Sequence, residues 1–242
     1  VVSAACAIPG VFLVLRKVSL MSDAISHAIL LGIVVSFFIV KDIASPILLL
    51  GAAATGLLTV ALTELLIGTK KLKEDASIGI VFPVFFSLGV ILISKYAGDI
   101  HLDVDAVLLG EIAFAPFDRL ILFGLDIPRS LLVMGIILAL NLVFIFAFYK
   151  ELKMSTFDEG LAIALGFSPA LVHYALMSMV SITAVGAFDA VGSILVVALM
   201  IAPASAAYLL THRLPIMILL SAGIGMLSGI TGYYLAHLYD AN

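Results

Sequence analysis

The chain has 242 residues, of which 64% are hydrophobic and 12% are charged, and its formal net charge at pH 7 is −4. This hydrophobic content exceeds what a soluble domain of this length needs for its core, and it indicates a polytopic membrane protein surrounded by lipid. The single cysteine, Cys6, excludes an internal disulfide and a cysteine-based metal cluster.

Hydrophobic runs separated by charged, proline or glycine breaks predict about eight helices of roughly 16 to 25 residues, close to the ~20 that cross a bilayer. We therefore expect an all-α fold, a polytopic helical membrane bundle, with one transmembrane domain over residues 1–242. We also expect the chain to be trimmed at both ends, because residues 1–15 are typical of the second half of a span. The predicted runs are 1–15, 25–40, 47–66, 78–93 with an extension to about Tyr96, 130–149, 170–188, 190–210 and 214–238.

Lysine and arginine residues predict the orientation of these spans. If successive spans alternate across the bilayer, eight of the 12 basic residues fall on one side, which the positive-inside rule assigns to the cytoplasm. These residues are Arg16, Lys17, Lys70, Lys71, Lys73, Lys150, Lys153 and Arg213.

The first polar motif in a span contains Asp23 and His27. Residues four apart share one face of an α-helix, and ionisable residues at membrane depth are typical of a pathway or a binding site. A carboxylate and an imidazole together suit divalent ions such as Mn²⁺, Zn²⁺ or Fe²⁺. The alternative is that Asp23 caps the helix together with Ser22 while His27 is an interior histidine.

Residues 99–127 are expected to form an extracytoplasmic segment with acidic residues around an apolar run at 106–115. That pattern predicts a short re-entrant or surface helix. His101, Asp103 and Asp105 alternate along the chain, so an extended backbone would place them together as a metal entry site. A solvated acidic loop is the alternative.

Residues 153–168 lie between two spans on the predicted cytoplasmic side. Ser155 or Thr156 is expected to cap a short helix there, and Gly166 is expected to end it. The helix is either a solvated connector or a docking helix for a cytoplasmic partner. Its exposed apolar residues are expected to be Leu161, Ile163 and Leu165.

Other features are less specific. Glu64 is expected to face a cavity or to extend toward water. His173 is expected to be structural, because no carboxylate lies near it in sequence. No phosphate-binding G-x-x-x-x-G-K-[ST] loop, no H-E-x-x-H and no G-x-S-x-G occur, so the chain has no ATPase site of its own and no visible hydrolase motif.

Three separated motifs resemble the bacterial manganese, zinc and iron ABC transporter permeases. They are LRKVSLMSDAISHA at 15–28, KEDASIGIVF at 73–82 and GSILVVALMIAPASA at 192–206. The resemblance implies a single permease domain with the fold of the cobalamin importer, a type II ABC importer, in the inner or plasma membrane of a bacterium. It also implies a transported divalent ion, with Mn²⁺ favoured over Zn²⁺ and Fe²⁺, and no permanently bound cofactor.

The resemblance further implies partners and site residues. The expected partners are cytoplasmic ATP-binding subunits, an extracytoplasmic metal-binding protein, and a second permease copy or paralogue; no nucleic acid is expected. Asp23 and His27 match the metal-contacting pair of the family. The segment that matches the ATPase-coupling helix contains Phe157, Asp158, Glu159, Gly160, Leu161, Ala162 and Gly166.

Two other functions stay open. A siderophore or cobalamin permease of the same fold would need a wide pathway without inward metal ligands. An ion-gradient-driven metal carrier would work without an ATPase.

Overall fold

A computed structural model describes residues 1–41, 45–96, 119–122 and 125–239, and nearly all of them are helical. The all-α prediction is confirmed, with one short hairpin in addition. In chain order the elements are α1 (Val2–Leu15), α2 (Leu20–Val40), α3 (Pro46–Gly68), α4 (Glu74–Tyr96), β1 (Arg119–Leu122), β2 (Leu125–Pro128), α5 (Arg129–Ala147), α6 (Tyr149–Phe157), α7 (Glu159–Ala164), α8 (Pro169–Leu210) and α9 (Leu214–Tyr239).

Within the described ranges, seven helical segments are long and apolar enough to cross a membrane. They lie in α2, α3, α4 and α5, in each half of α8, and in α9. With the shorter α1, they account for the eight predicted runs. Large apolar side chains such as Phe146 and Leu209 are strongly exposed, as expected of helices whose outer faces meet lipid rather than water.

The long helix α8 reverses direction at Gly192, where the backbone leaves the helical region with φ 75° and ψ 166°. Its first half reaches the end of α1, because His173 contacts Arg16. Its second half returns along α1, because Met200 packs at Gly10. A straight helix would separate His173 from Met200 by roughly 40 Å, whereas Gly10 and Arg16 lie less than two turns apart on α1.

Helix α1 is the most enclosed element, with every side chain from Ala4 to Leu13 buried. Polar side chains of the surrounding helices bond to its backbone. Asn141 of α5 donates to the carbonyl of Ala5 (3.1 Å) and to Thr183 Oγ1 of α8 (2.9 Å). Such bonds between helices replace the water that a membrane interior lacks.

Helices α2 and α3 approach closely through glycines. A Cβ atom added to Gly51 would collide with Ser36 Oγ, and one added to Gly32 would collide with the carbonyl oxygen of Gly51. Gly56 allows the same close approach between α3 and Ser181 of α8. Small residues at helix contacts allow this backbone proximity in membranes.

We expect Gly51→Ala to destabilise the protein by about 1–3 kcal/mol, because the added methyl overpacks the contact between α2 and α3. The matched control is Gly135→Ala in α5, since a Cβ atom there has no neighbour within 4 Å. Thermal unfolding in detergent should show a lower Tm for Gly51→Ala and an unchanged or higher Tm for Gly135→Ala. Equal Tm values for the two variants would contradict the close contact.

The hairpin β1–β2 leads directly into α5. Its strands are antiparallel, with Arg119 opposite Pro128 and Leu122 opposite Leu125. No strand was predicted in this part of the chain. The helix expected at 106–115 lies outside the described residues and remains a prediction.

Candidate functional site

Asp23 and His27 lie one turn apart on α2, and His27 Nε2 is 3.4 Å from Asp23 Oδ1. The helix begins at Leu20, earlier than the predicted start at residue 25, and its N-cap Ser19 makes no side-chain capping bond. Asp23 is therefore inside the first turn of the helix and is not its cap. Ser22, the other residue considered as a cap, bonds instead to the Ser19 carbonyl oxygen (3.0 Å).

The two side chains share the accessible face of an otherwise buried stretch of helix. Asp23 is 41% exposed and His27 is 28% exposed, whereas Ser22, Ile25 and Ser26 are buried. An ionisable pair on the open face of a membrane-spanning helix is typical of a substrate pathway.

Two aromatic rings of α4 contact the His27 imidazole. The ring centroids of Phe82 and Phe86 are 5.9 Å and 5.7 Å from that of His27, and Phe86 meets it edge-on. Contacts of this kind stabilise one orientation of the imidazole. In this orientation Nε2 is the ring nitrogen that lies close to Asp23.

The geometry of the pair fits a small divalent cation. Two donor atoms bound to one tetrahedral ion at ~2.1 Å lie roughly 3.4 Å apart, and the distance from Asp23 Oδ1 to His27 Nε2 is 3.4 Å. Among the described residues, no group of three or more His, Cys, Asp or Glu side chains could hold a metal ion. Further ligands for a cation at the pair would therefore come from water, from another chain or from outside the described residues.

A second carboxylate–imidazole pair was missed by the sequence reasoning. Glu64 Oε1 on α3 is 2.6 Å from His173 Nε2 on α8. The two residues are far apart in sequence, so local spacing could not reveal the pair. Their positions along the helices could have indicated the pair, because Glu64 and His173 each lie one turn inside the predicted cytoplasmic end of their helix.

The short helix α7 has well-defined ends outside the spans. Asp158 caps it, because Asp158 Oδ1 accepts a hydrogen bond from the Leu161 amide (2.9 Å); the predicted cap at Ser155 or Thr156 is wrong. Both of those residues lie inside α6 instead. Gly166 ends the turn as predicted, with φ 86°, and its amide donates to the Ile163 carbonyl oxygen (2.9 Å).

Large apolar side chains are exposed on α7 and at its two ends. Ala162 is buried, while four large side chains are between 47% and 60% exposed. Apolar residues clustered outside the bilayer are typical of a protein-binding site. We call these four the docking surface: Phe157, Leu161, Ile163 and Leu165.

His101, Asp103 and Asp105 lie outside the described residues. Their assignment as an entry site remains a prediction.

These features define the class of the protein. A bundle of apolar helices long enough to span a bilayer, with an ionisable pair on the open face of one span, is a multi-pass membrane protein of the transport class. The family model described as the ABC 3 transport family matches residues 1–242, and the chain belongs to that family. The resemblance to the metal-ion ABC permeases is thereby confirmed.

Individual relatives agree with this assignment. The chain is 53% identical over 242 residues to the zinc transport system membrane protein TroD of Treponema pallidum (strain Nichols), covering all of this chain and 66% of TroD. It is 47% identical to the manganese transport system membrane protein MntD of Bacillus subtilis (strain 168), covering 97% of this chain and 80% of MntD. This chain thus spans about two thirds of the length of TroD.

A solved structure shares the fold. PsaBC from Streptococcus pneumoniae in complex with Fab superposes with a TM-score of 0.79 at 33% identity, over 99% of this chain and 80% of the PsaBC chain. The predicted permease fold is confirmed by this similarity.

Proposed function

We propose that the chain is the membrane permease subunit of an ATP-driven importer of divalent transition-metal ions. The supporting observation is the Asp23–His27 pair, whose donor atoms are close enough to bind one cation together. Two ligands from one chain bind an ion weakly, which suits transport because the ion must leave again. An ion would bind the pair briefly on its way through the membrane.

Mn²⁺ is the proposed principal substrate, with Zn²⁺ and Fe²⁺ as competitors. One carboxylate and water oxygens are ligands that suit Mn²⁺, while the imidazole is shared by all three ions. The lone thiol, Cys6, is buried in α1 and so is not available as a softer ligand. The relatives support either ion, since MntD is named for manganese transport and TroD for zinc transport.

The proposed partners follow from the two ends of the pathway. The docking surface on α7 is exposed outside the spans and would bind a cytoplasmic ATP-binding subunit. A metal-binding protein would deliver the ion at the opposite side. A second permease copy or paralogue would supply ligands that the described residues of this chain lack.

Reconstitution into proteoliposomes tests this function. The permease, its co-encoded ATP-binding subunit and its co-encoded binding protein are combined, and uptake of radiolabelled Mn²⁺ is followed with and without ATP. We expect uptake to need all three components and ATP, and excess Zn²⁺ to compete.

The other functions predict different results. Uptake by the permease alone, driven by an ion gradient, would establish a carrier and overturn the proposal. Uptake of a siderophore or cobalamin without any free metal ion would establish the siderophore or cobalamin permease instead.

A further inference from the structure

Arg16 joins three helices at the predicted cytoplasmic end of the bundle. Its Nη2 donates to Ser155 Oγ (2.7 Å) and its Nε donates to Thr156 Oγ1 (3.1 Å), both on α6. Its Nη1 is 3.3 Å from His173 Nδ1 on α8. A guanidinium can direct donors to several acceptors at once, which a lysine ammonium does with far less geometric precision.

These contacts determine the roles of the His173 ring nitrogens. A guanidinium has donors and no acceptor, so Nδ1 of His173 accepts from Arg16 and the ring proton belongs on Nε2. That nitrogen lies 2.6 Å from Glu64 Oε1, in close polar contact with the carboxylate. The His173 ring thus lies between a positive and a negative side chain.

The surroundings of Arg16 disfavour a second cation site here. Burial lowers the pKa of the Arg16 guanidinium from its ordinary value, while the nearby Glu159 raises it. The guanidinium nevertheless remains charged at neutral pH. A metal ion at Glu64 and His173 would have to displace the ring proton beside this positive charge, so the pair serves better as a link between helices.

The linked helices connect the docking surface to the Asp23–His27 pair. Ser155 and Thr156 lie at the end of α6, directly before α7. Glu64 lies on α3, whose Gly56 packs against Ile25 of α2. Ile25 stands between Asp23 and His27 in sequence, so α3 contacts the turn that holds the pair.

We propose that Arg16, His173 and Glu64 form a mechanical relay that transmits movement of the ATPase-docking segment to the helices around the Asp23–His27 pair. This inference depends on the proposed ATP-driven transport. Displacement of α6 and α7 would move the Arg16 guanidinium, which contacts His173 of α8. His173 would pass the movement to Glu64 of α3. The three residues are positioning residues and do not contact the transported ion.

The test uses the complete transporter with its ATP-binding subunit and binding protein in proteoliposomes. His173→Leu removes both polar contacts of the ring, and Arg16→Lys removes the multiple contacts while keeping the charge. We expect each to lower Mn²⁺ uptake per ATP hydrolysed about fivefold or more, the usual size of coupling between sites. The apparent KM for Mn²⁺ should stay within about twofold, because Asp23 and His27 are untouched.

The conservative control is His173→Gln. A glutamine amide can accept from Arg16 and donate to Glu64, so this variant should keep at least about half of the wild-type uptake per ATP. A loss in His173→Gln equal to that in His173→Leu would overturn the relay, since it would mean that the imidazole itself is needed. Wild-type coupling in both His173→Leu and Arg16→Lys would overturn it as well.

Two further outcomes are distinguishable. If His173→Leu does not fold, as judged by gel filtration and Tm, Arg16→Lys decides by its uptake per ATP. If the wild-type complex shows no ATP-driven uptake, the proposed function fails, independently of the variants.

Discussion

Asp23→Asn is expected to lower Mn²⁺ uptake by the reconstituted transporter about 100-fold. Mutation of residues that only support a metal ligand already lowers metal affinity or activity about 10- to 100-fold, so loss of a ligand itself should reach the upper end of that range. The substitution keeps the size of the side chain and removes its negative charge, which is the only charge that the pair offers to a cation. His27→Asn should have a similar effect, because it removes the imidazole nitrogen that lies 3.4 Å from Asp23 Oδ1. Initial rates at several Mn²⁺ concentrations measure both losses.

The matched control for Asp23→Asn is Asp75→Asn, the same change at an exposed carboxylate in the first turn of α4. It should leave uptake within about twofold, as surface substitutions usually do. Normal uptake by Asp23→Asn and His27→Asn, with the ATP-binding subunit present, would show that the pair is not a transport site.

A change of ligand type separates a metal-binding role from a structural one. His27→Cys replaces the imidazole by a softer thiolate ligand, which favours Zn²⁺ over Mn²⁺. We expect the variant to be inhibited by Zn²⁺ at lower concentrations than the wild type. Unchanged competition by Zn²⁺ would mean that His27 does not contact the ion.

The sequence was sufficient for features that depend on local periodicity. The helical runs follow from hydropathy, and the Asp23–His27 pair follows from a spacing of four residues on one helix. The break between the runs 170–188 and 190–210 was predicted three residues before Gly192, whose positive φ lets α8 reverse. Each of these features is decided by residues close together in the chain.

Features that depend on tertiary contacts were not predictable. His173 has no acidic neighbour in sequence, and its partner Glu64 is brought to it only when α3 and α8 pack together. The cap of α7 was misplaced for a related reason. Ser155 and Thr156 are good capping residues in isolation, but Arg16 binds both hydroxyls within α6, which leaves Asp158 to cap α7.

Ile163→Asp and Leu161→Asp are expected to weaken binding of the ATP-binding subunit about 30-fold or more, which corresponds to ~2 kcal/mol, the threshold for an interface hot spot. Each variant places a carboxylate among the exposed apolar side chains of α7. Binding of the subunit would have to remove water from this carboxylate, which costs free energy. Binding of the purified subunit to the detergent-solubilised permease, followed by fluorescence titration, measures the change. ATP-dependent Mn²⁺ uptake should fall in parallel.

The controls for the docking surface separate lost binding from lost folding. Both positions are exposed, so the substitutions should leave the Tm nearly unchanged. Lys71→Asp, in the exposed connection between α3 and α4, adds an aspartate on the same predicted side and should bind the subunit normally. If Ile163→Asp and Leu161→Asp also bind normally, α7 is a solvated connector, and the ATP-binding subunit must contact the permease elsewhere. A loss confined to these two variants would instead identify α7 as the element through which ATP hydrolysis acts on the membrane helices.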